Sequence, residues 1–341
     1  MLLAAVLAAA AGGSYAFLVS RFGAPGPLES SAVLYFPPGT SLNGIARTLA
    51  ENGAVAREWI FRAGVTLLGD KRPLRAGEYE IPAHASMRDI AALLKEGRTV
   101  VHKLTVAEGL TTKQVLALVS AAAGLQGPID DPPGEGRLLP ETYFYSRGDK
   151  RTDMVERMEK KMTETLDAAW AERAPDLPLK SEDEALVLAS LVEKETGKPG
   201  ERPEVAAVYL NRLRKGMKLQ ADPTVIYALT MGQGGLDRPL TKDDLEIASP
   251  YNTYAVAGLP PGPIANPGRE AIEAAVRPAE SDYLYFVSDG EGGHLFARTL
   301  AEHNRNVAKL RRVQKRQRSD RDKSAGDVEA LKPSSGAGSS P

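Results

Sequence analysis

The chain of 341 residues contains no cysteine, which excludes disulfides, thiol nucleophiles, Cys-ligated zinc and iron–sulfur clusters together. Histidine is almost as scarce. His84, His102, His294 and His303 are the only four, and no two stand three or four residues apart, so a histidine-based metal site is not expected. Neither sign of charge is in excess: 43 Lys and Arg against 44 Asp and Glu give a formal net charge of -1, so no global field draws in nucleic acid or another polyanion. Aromatic residues are 6% of the chain, while 43% hydrophobic and 26% charged residues are ordinary for a globular protein. Wholesale disorder is excluded, and the length suits about two domains.

Charge is missing altogether from residues 1–19, MLLAAVLAAAAGGSYAFLV; the first charged side chain is Arg21. This run matches the ~20 apolar residues that span a bilayer as a helix. Residues 1–20 read as a retained single-pass anchor. A cleaved signal peptide is the competing reading, because the small residues Ala8–Ala11 resemble a cleavage site, yet Tyr15–Val19 would be an odd apolar remnant after cleavage. No basic residue precedes the run, although one is expected there. With the anchor in place the rest of the chain lies on one side of the membrane, and a cysteine-free exported protein suits a bacterial periplasm.

A Gly/Pro/Ser linker, 21–31, leads to a strand (VLYF), a PPGTS turn and an apolar-periodic helix through Ile45, Ala46 and Leu49, with Ser41 as its N-cap. The unit returns 45 residues later as Pro82, Ser86, Met87, Ile90, Ala91 and Leu94, and more loosely at Gly109, Thr111, Val115 and Val119. Strand, turn and capped helix repeated in this way predict a small α+β module over 32–122. The Gly/Pro-rich stretch after 122 reads as a lip between domains. Beyond it, Met154, Met158, Leu166 and Trp170 share one face of an amphipathic helix. A larger α+β domain is expected over 123–310. From 311 to 341 a basic run without interleaved aromatics passes into a Ser/Gly-rich end, which predicts a frayed helix end and a disordered tail, not a nucleic-acid surface.

The chemistry concentrates in Glu182–Asp222. A helix that is apolar almost all round from Ala185 to Val192 must be a central core helix. Glu193 and Glu195 near its end point about 200° apart, so they cannot serve one site. Glu195 follows Leu188, Leu191 and Val192 at i+7, i+4 and i+3 and so continues the apolar stripe. A carboxyl placed there is desolvated, which raises its pKa and suits it to donate a proton near neutral pH. The plainer alternative is a last helical turn emerging into solvent. Glu193 reads as a surface or ion-pairing residue, and a Ser190/Lys194 dyad lacks a glycine-turn nucleophile setting. A second helix, Val205–Lys215, turns Val205, Tyr209 and Leu213 inward and stops at Gly216. Asp222-Pro223 has the chemistry of a helix start, with Asp222 as N-cap. Tyr251, Asn252 and Tyr254 lie in a rigid Pro/Gly-dense loop, 249–268, that suits sugar rings or is simply a structured loop. Tyr283–Ala297 predicts a β-hairpin, with His294 structural.

ASLVEKET, YLNRLRKGMKLQADPTVIYAL, YNTYAVAGLPPGPIANPG and YLYFVSDGEGGHLFA closely resemble the YceG-like family of endolytic murein transglycosylases. The match is dense from about Leu186 to Asn304. Upstream, FPPGTS, AGEYEIP and VAEGLTTKQV are similar to that family's LysM-like region. The resemblance implies α+β architecture throughout: an N-terminal membrane helix, a small LysM-like α+β domain and a larger α+β catalytic domain whose core helix carries the catalytic Glu. It implies a single-pass inner-membrane protein that cuts peptidoglycan glycan strands internally in the periplasm, without metal or organic cofactor. Its catalytic glutamate falls on Glu195. Gln220, Asp222, Thr224, Tyr251, Asn252 and Tyr254 are expected to line the groove. Peptidoglycan synthases are candidate partners, and a non-catalytic peptidoglycan-binding scaffold is the rival reading.

Overall fold

The computed structural model describes residues 1–330, with side chains described through residue 317. Its contacts divide the chain into two compact units, one built from residues 1–105, 118–130 and 142–155 and the other from 106–117, 131–141 and 156 onward. The chain therefore passes between units several times, whereas the sequence suggested a single boundary near 122.

In the first unit a long apolar helix, α1 (Leu2–Gly23), precedes β1 (Ala32–Phe36), α2 (Leu42–Glu51), α3 (Glu58–Leu67), β2 (Gly77–Ile81), α4 (Met87–Glu96) and β3 (His102–Thr105). Strands β1 and β2 pair antiparallel, with Leu34 opposite Tyr79. Both expected helix starts form: Ser41 Oγ accepts from the Gly44 amide at 3.2 Å, and Ser86 makes a reciprocal capping box with Asp89. Amphipathic spacing then turns Ile45, Ala46 and Leu49 of α2, and Ile90, Ala91 and Leu94 of α4, onto Phe36, Tyr79 and Ile81. The third copy is also a strand, turn and capped helix. It runs from β3 into α5 (Thr112–Ala121), where Thr111 and Gln114 exchange the two cap hydrogen bonds at 3.0 and 3.3 Å. Strand β3 pairs with β4 (Thr142–Tyr145) and not with the first sheet. Glu78 of β2, almost fully buried, ties the pieces together by accepting from His102 Nε2 at 2.5 Å and Arg147 Nη1 at 3.0 Å.

The second unit is organised around one helix. After α6 (Arg151–Ala171), which buries Met162 and Leu166, comes α7 (Glu182–Glu195), opened by Ser181, whose hydroxyl accepts from the Glu184 amide at 3.2 Å. Every residue of α7 from Ala185 to Val192 is buried, as its all-round apolar sequence requires. Packed on it are α8 (Arg202–Arg214), α9 (Asp222–Thr230) and α10 (Arg269–Val276). The expected hairpin follows as β5 (Tyr285–Ser288) and β6 (His294–Ala297), antiparallel with Phe286 opposite Phe296. The last helix, α11, runs Leu300–Ala330, past the point at 311 where a disordered tail was expected. Its Lys, Arg, Gln, Ala and Glu content favours helix, and Gln317 still reaches back to donate to the Gly290 carbonyl at 3.0 Å. The Ser/Gly-rich end, 331–341, lies outside the described residues.

Candidate active site

Helix α7 ends at Glu195, where the chain leaves the core. The residue is only partly exposed, and burial of its carboxyl pushes the pKa up to about 7. One direct partner opposes this: Tyr209 of α8 donates its hydroxyl to Glu195 Oε2 at 3.1 Å. That hydrogen bond and the Arg212 charge favour the carboxylate, while the negative charge of Asp222 works with burial against it. The balance leaves a carboxyl that is protonated in a large fraction of molecules near neutral pH.

The supporting side chains come from three further segments. Tyr209 is buried with its ring edge-on to Phe286, centroids 5.8 Å apart. One helical turn later Arg212 donates from Nε to the Leu284 carbonyl at 2.7 Å and from Nη1 to the Leu219 carbonyl at 2.8 Å. Its guanidinium also lies over the Tyr285 ring at 5.2 Å. Arg212 thus fastens the hairpin and the 218–220 loop to α8, and it places positive charge behind Glu195. Asp222 is exposed and accepts from the Tyr254 hydroxyl at 2.5 Å. Burial, followed by the Asp222 contact, raises the Tyr254 phenol, so it stays a proton donor.

Four of the six groove residues suggested by sequence face this region or its margin; two do not. Asp222 is not the N-cap: Ala221 holds that position without a side-chain cap, and Pro223 occupies the first turn as expected. The carboxylate of Asp222 is instead taken by Tyr254. Gln220 is exposed in the left-handed region at φ 53°, costly for a residue with a Cβ, and is held there by its amide donating to the Thr253 carbonyl at 3.2 Å. Tyr251 is half-buried against Tyr227, ring centroids 4.9 Å apart. Thr224 and Asn252, by contrast, are fully buried. Thr224 Oγ1 bonds the Ala221 carbonyl and Thr253 Oγ1 at 2.7 and 2.9 Å. Asn252 Nδ2 reaches the Leu245 and Ile247 carbonyls, both at 2.9 Å, while its Oδ1 accepts from the Tyr254 amide, also at 2.9 Å. With their polar groups committed to the loop itself, these two hold the loop in shape and do not line a groove.

Other sequence readings resolve similarly. Glu193 is ion-paired as expected, to Arg202 at 3.5 Å, but it is buried and also accepts from the Gly268 amide at 2.9 Å. Ser190 is buried between the Val187 carbonyl and the Ile264 amide, and Lys194 is exposed and donates to the Gly109 carbonyl, so no dyad forms. His294 is held by Glu201 at 2.8 Å and packs edge-on against Phe286, a structural role.

Sequence reasoning placed Tyr209 inward but missed its hydroxyl as the partner of Glu195; a phenol on an otherwise apolar helix face was the available signal. Glu135 was missed entirely. Its carboxyl accepts from the Thr112 amide at 2.7 Å and the Tyr227 hydroxyl at 3.4 Å, and burial raises its pKa. It lies in an irregular loop, where no periodicity marks a buried position. A cleft of about 240 Å³ opens on this side of the unit, lined by Thr111, Gln114, Lys194, Pro223, Tyr227 and Ile264. Two of these residues, Lys194 and Pro223, adjoin Glu195 and Asp222 in the chain.

A curated Bacillus subtilis (strain 168) protein named endolytic murein transglycosylase is 33% identical over 309 residues, covering 81% of this chain and 84% of its own length. A Streptococcus pneumoniae (serotype 2, strain D39) protein of the same name is 29% identical, covering 83% of this chain and 59% of the longer relative. Among solved structures, a YceG-like protein of Listeria monocytogenes superposes with a TM-score of 0.51 at 30% identity, over 81% of this chain and 98% of that one. The model of the YceG-like family matches residues 34–309, and the chain therefore belongs to the YceG-like family.

Proposed function

We propose that the chain is an endolytic peptidoglycan lytic transglycosylase in which Glu195 is the general acid and then the general base. The observation that carries this is a carboxyl at a helix end, desolvated to a pKa of about 7 and held by the single phenolic donor Tyr209. Protonated Glu195 gives its proton to the oxygen linking N-acetylmuramic acid to N-acetylglucosamine as oxocarbenium character develops at C1. The resulting carboxylate takes the proton of the muramoyl C6 hydroxyl, whose oxygen closes on C1 to give a 1,6-anhydro end. The nucleophile belongs to the substrate, so one carboxylate suffices. Asp222, with Tyr254, orients the sugar and keeps Glu195 protonated through its negative charge. Gln220, Tyr251 and Tyr254 offer amide and aromatic surface for sugar rings.

The first unit is the LysM-like glycan-holding domain of this proposal, and α1, 22 residues long with a mean hydropathy of 2.0 over its most apolar 18 residues, anchors the protein in the inner membrane with both units in the periplasm. Internal cleavage there would terminate or trim strands as synthases extend them. The rival scaffold needs no proton donor, and the perturbed carboxyl at Glu195 disfavours it.

The test is to incubate the full chain in detergent micelles with purified peptidoglycan beside Glu195→Gln and to identify products by mass spectrometry. Anhydro ends from the wild type alone support the proposal. Reducing ends, heavier by one water, would mean hydrolysis with Asp222 as second carboxylate, and no product from either chain would leave the scaffold.

A further inference from the structure

We infer that the first unit carries a binding site for one anionic lipid, formed between α1 and α3, with the phosphate between Arg21 and Arg57 and an acyl chain along Trp59. The inference rests on the membrane-anchor reading proposed above, and it concerns a surface with no part in the glycan chemistry.

Helix α1 does not leave the unit as a free tether. Its last turns belong to the core: Leu18 and Phe22 are buried, and Phe22 lies so close on Gly64 of α3 that a Cβ there would stand 2.1 Å from the ring. Phe17 stacks on Trp59 at 6.4 Å between centroids. Above this contact the two helices enclose an open apolar groove of about 680 Å³. One wall is Ala11, Tyr15 and Leu18 of α1; the other is Trp59, Ala63 and Leu67, three successive turns of α3. Trp59 and Leu67 are 50% and 69% exposed, a large apolar surface for a helix that faces water.

Depth decides what covers it. At about 1.5 Å per residue α1 is about 33 Å long, against about 30 Å of bilayer hydrocarbon. The α1 wall of the groove lies inside that apolar length, so α3 stands at the membrane boundary with its apolar stripe facing acyl chains. A tryptophan at this level is the usual interfacial anchor. The groove also has a polar end. Phe17 and Trp59 form one side of a second hollow, about 350 Å³, that Arg21 and Arg57 enter. Among the described residues neither arginine has an ion-pair partner. Two unpaired guanidiniums at the mouth of an apolar groove match the phosphate and the chain of a single lipid.

The test uses the full chain with Trp170→Phe, which leaves Trp59 as the only tryptophan, in phosphatidylcholine vesicles doped with brominated phosphatidylglycerol or brominated phosphatidylcholine. Trp59 emission should lose most of its intensity to the brominated lipids. The phosphatidylglycerol probe should act at a lower mole fraction, by about fivefold per arginine. Arg21→Gln with Arg57→Gln should abolish the preference and keep the quenching. A companion Trp59→Phe chain should lose the quenched fraction; a fraction retained there would trace the signal to Trp170 and overturn the assignment. Equal quenching by both lipids would overturn the phosphate site, and emission quenched only by aqueous acrylamide would overturn the groove. A chain that fails to float with the vesicles would overturn the anchor and this site with it, an outcome distinct from a floating chain whose Trp59 stays wet.

Discussion

Replacing Glu195 with Gln should make the second unit more stable as well as inactive, and the gain should appear only at neutral to alkaline pH. Holding the carboxyl at about 7 instead of 4.5 costs its ionised form about 3 kcal/mol in the folded state. The sign follows from proton linkage. The folded pKa lies above the unfolded value, so the folded state binds the extra proton, and stability declines as pH rises from 4.5 towards 7. Gln keeps the shape and does not ionise. The variant should therefore exceed the wild type by up to about 3 kcal/mol at pH 8, and by well under ~1 kcal/mol at pH 4.5, where the penalty has nearly gone. Partial exposure of Glu195 makes the larger figure an upper value. The assay is denaturant unfolding at both pH values in a Trp59→Phe background. Trp170, on α6 and packed against the core of the second unit, then reports that unit alone. A stability difference that is the same at pH 4.5 and pH 8, whatever its size, would refute the claim that Glu195 is desolvated, and with it the physical basis for a proton donor there.

The same electrostatics predict paired shifts in the pH dependence of anhydro product release, whose alkaline limb should follow deprotonation of Glu195. Tyr209→Phe removes a donor to the carboxylate and should move that limb up by roughly one pH unit, whereas Asp222→Asn removes a neighbouring negative charge and should move it down, with anhydro products in both. Two shifts of the same sign would contradict the arrangement. Asn252→Ala orphans two half-buried carbonyls and one amide and should cost about 1–3 kcal/mol of stability in the second unit, measured by urea unfolding. Gly64→Ala drives a methyl into Phe22 and should cost about 1–3 kcal/mol in the first unit, read from Trp59 emission during unfolding; no loss would mean that α1 is not docked on α3.

What the sequence disclosed and what it concealed divide along one line, the reach of an interaction along the chain. Local rules were sufficient for the three strand–turn–helix units, because Ser41, Ser86 and Thr111 each cap within three residues, and for α7, where an apolar run with no polar face has no alternative to burial. The position of Glu195 was legible for the same reason: it extends a stripe that Leu188, Leu191 and Val192 begin. Its partner was not, since a phenol fourteen positions away reaches it only when α8 folds back on α7. Asp222 shows the conflict most clearly. Asp before Pro satisfies every local rule for a helix cap, yet a tyrosine thirty-two residues downstream takes its carboxylate and leaves the cap to Ala221. Thr224 and Asn252 failed as groove residues because a motif records that a polar side chain is present, not whether backbone groups have consumed it. Glu193 pairs with Arg202 as an ion-pairing residue should, but its second partner, the Gly268 amide, lies seventy-five residues on and beyond any local rule. At Thr224, Asn252 and Glu193 the partners take up the polar groups, whereas Asp222 and Glu195 each accept one phenolic hydrogen bond on a single oxygen. At Glu195 the direct partner among the described residues is a donor to one oxygen, which leaves the other oxygen open. Exposure separates the two: the Asp222 carboxylate faces water, whereas burial pushes Glu195 up to about 7, which makes Glu195 and not its neighbour the proton donor of the proposed reaction.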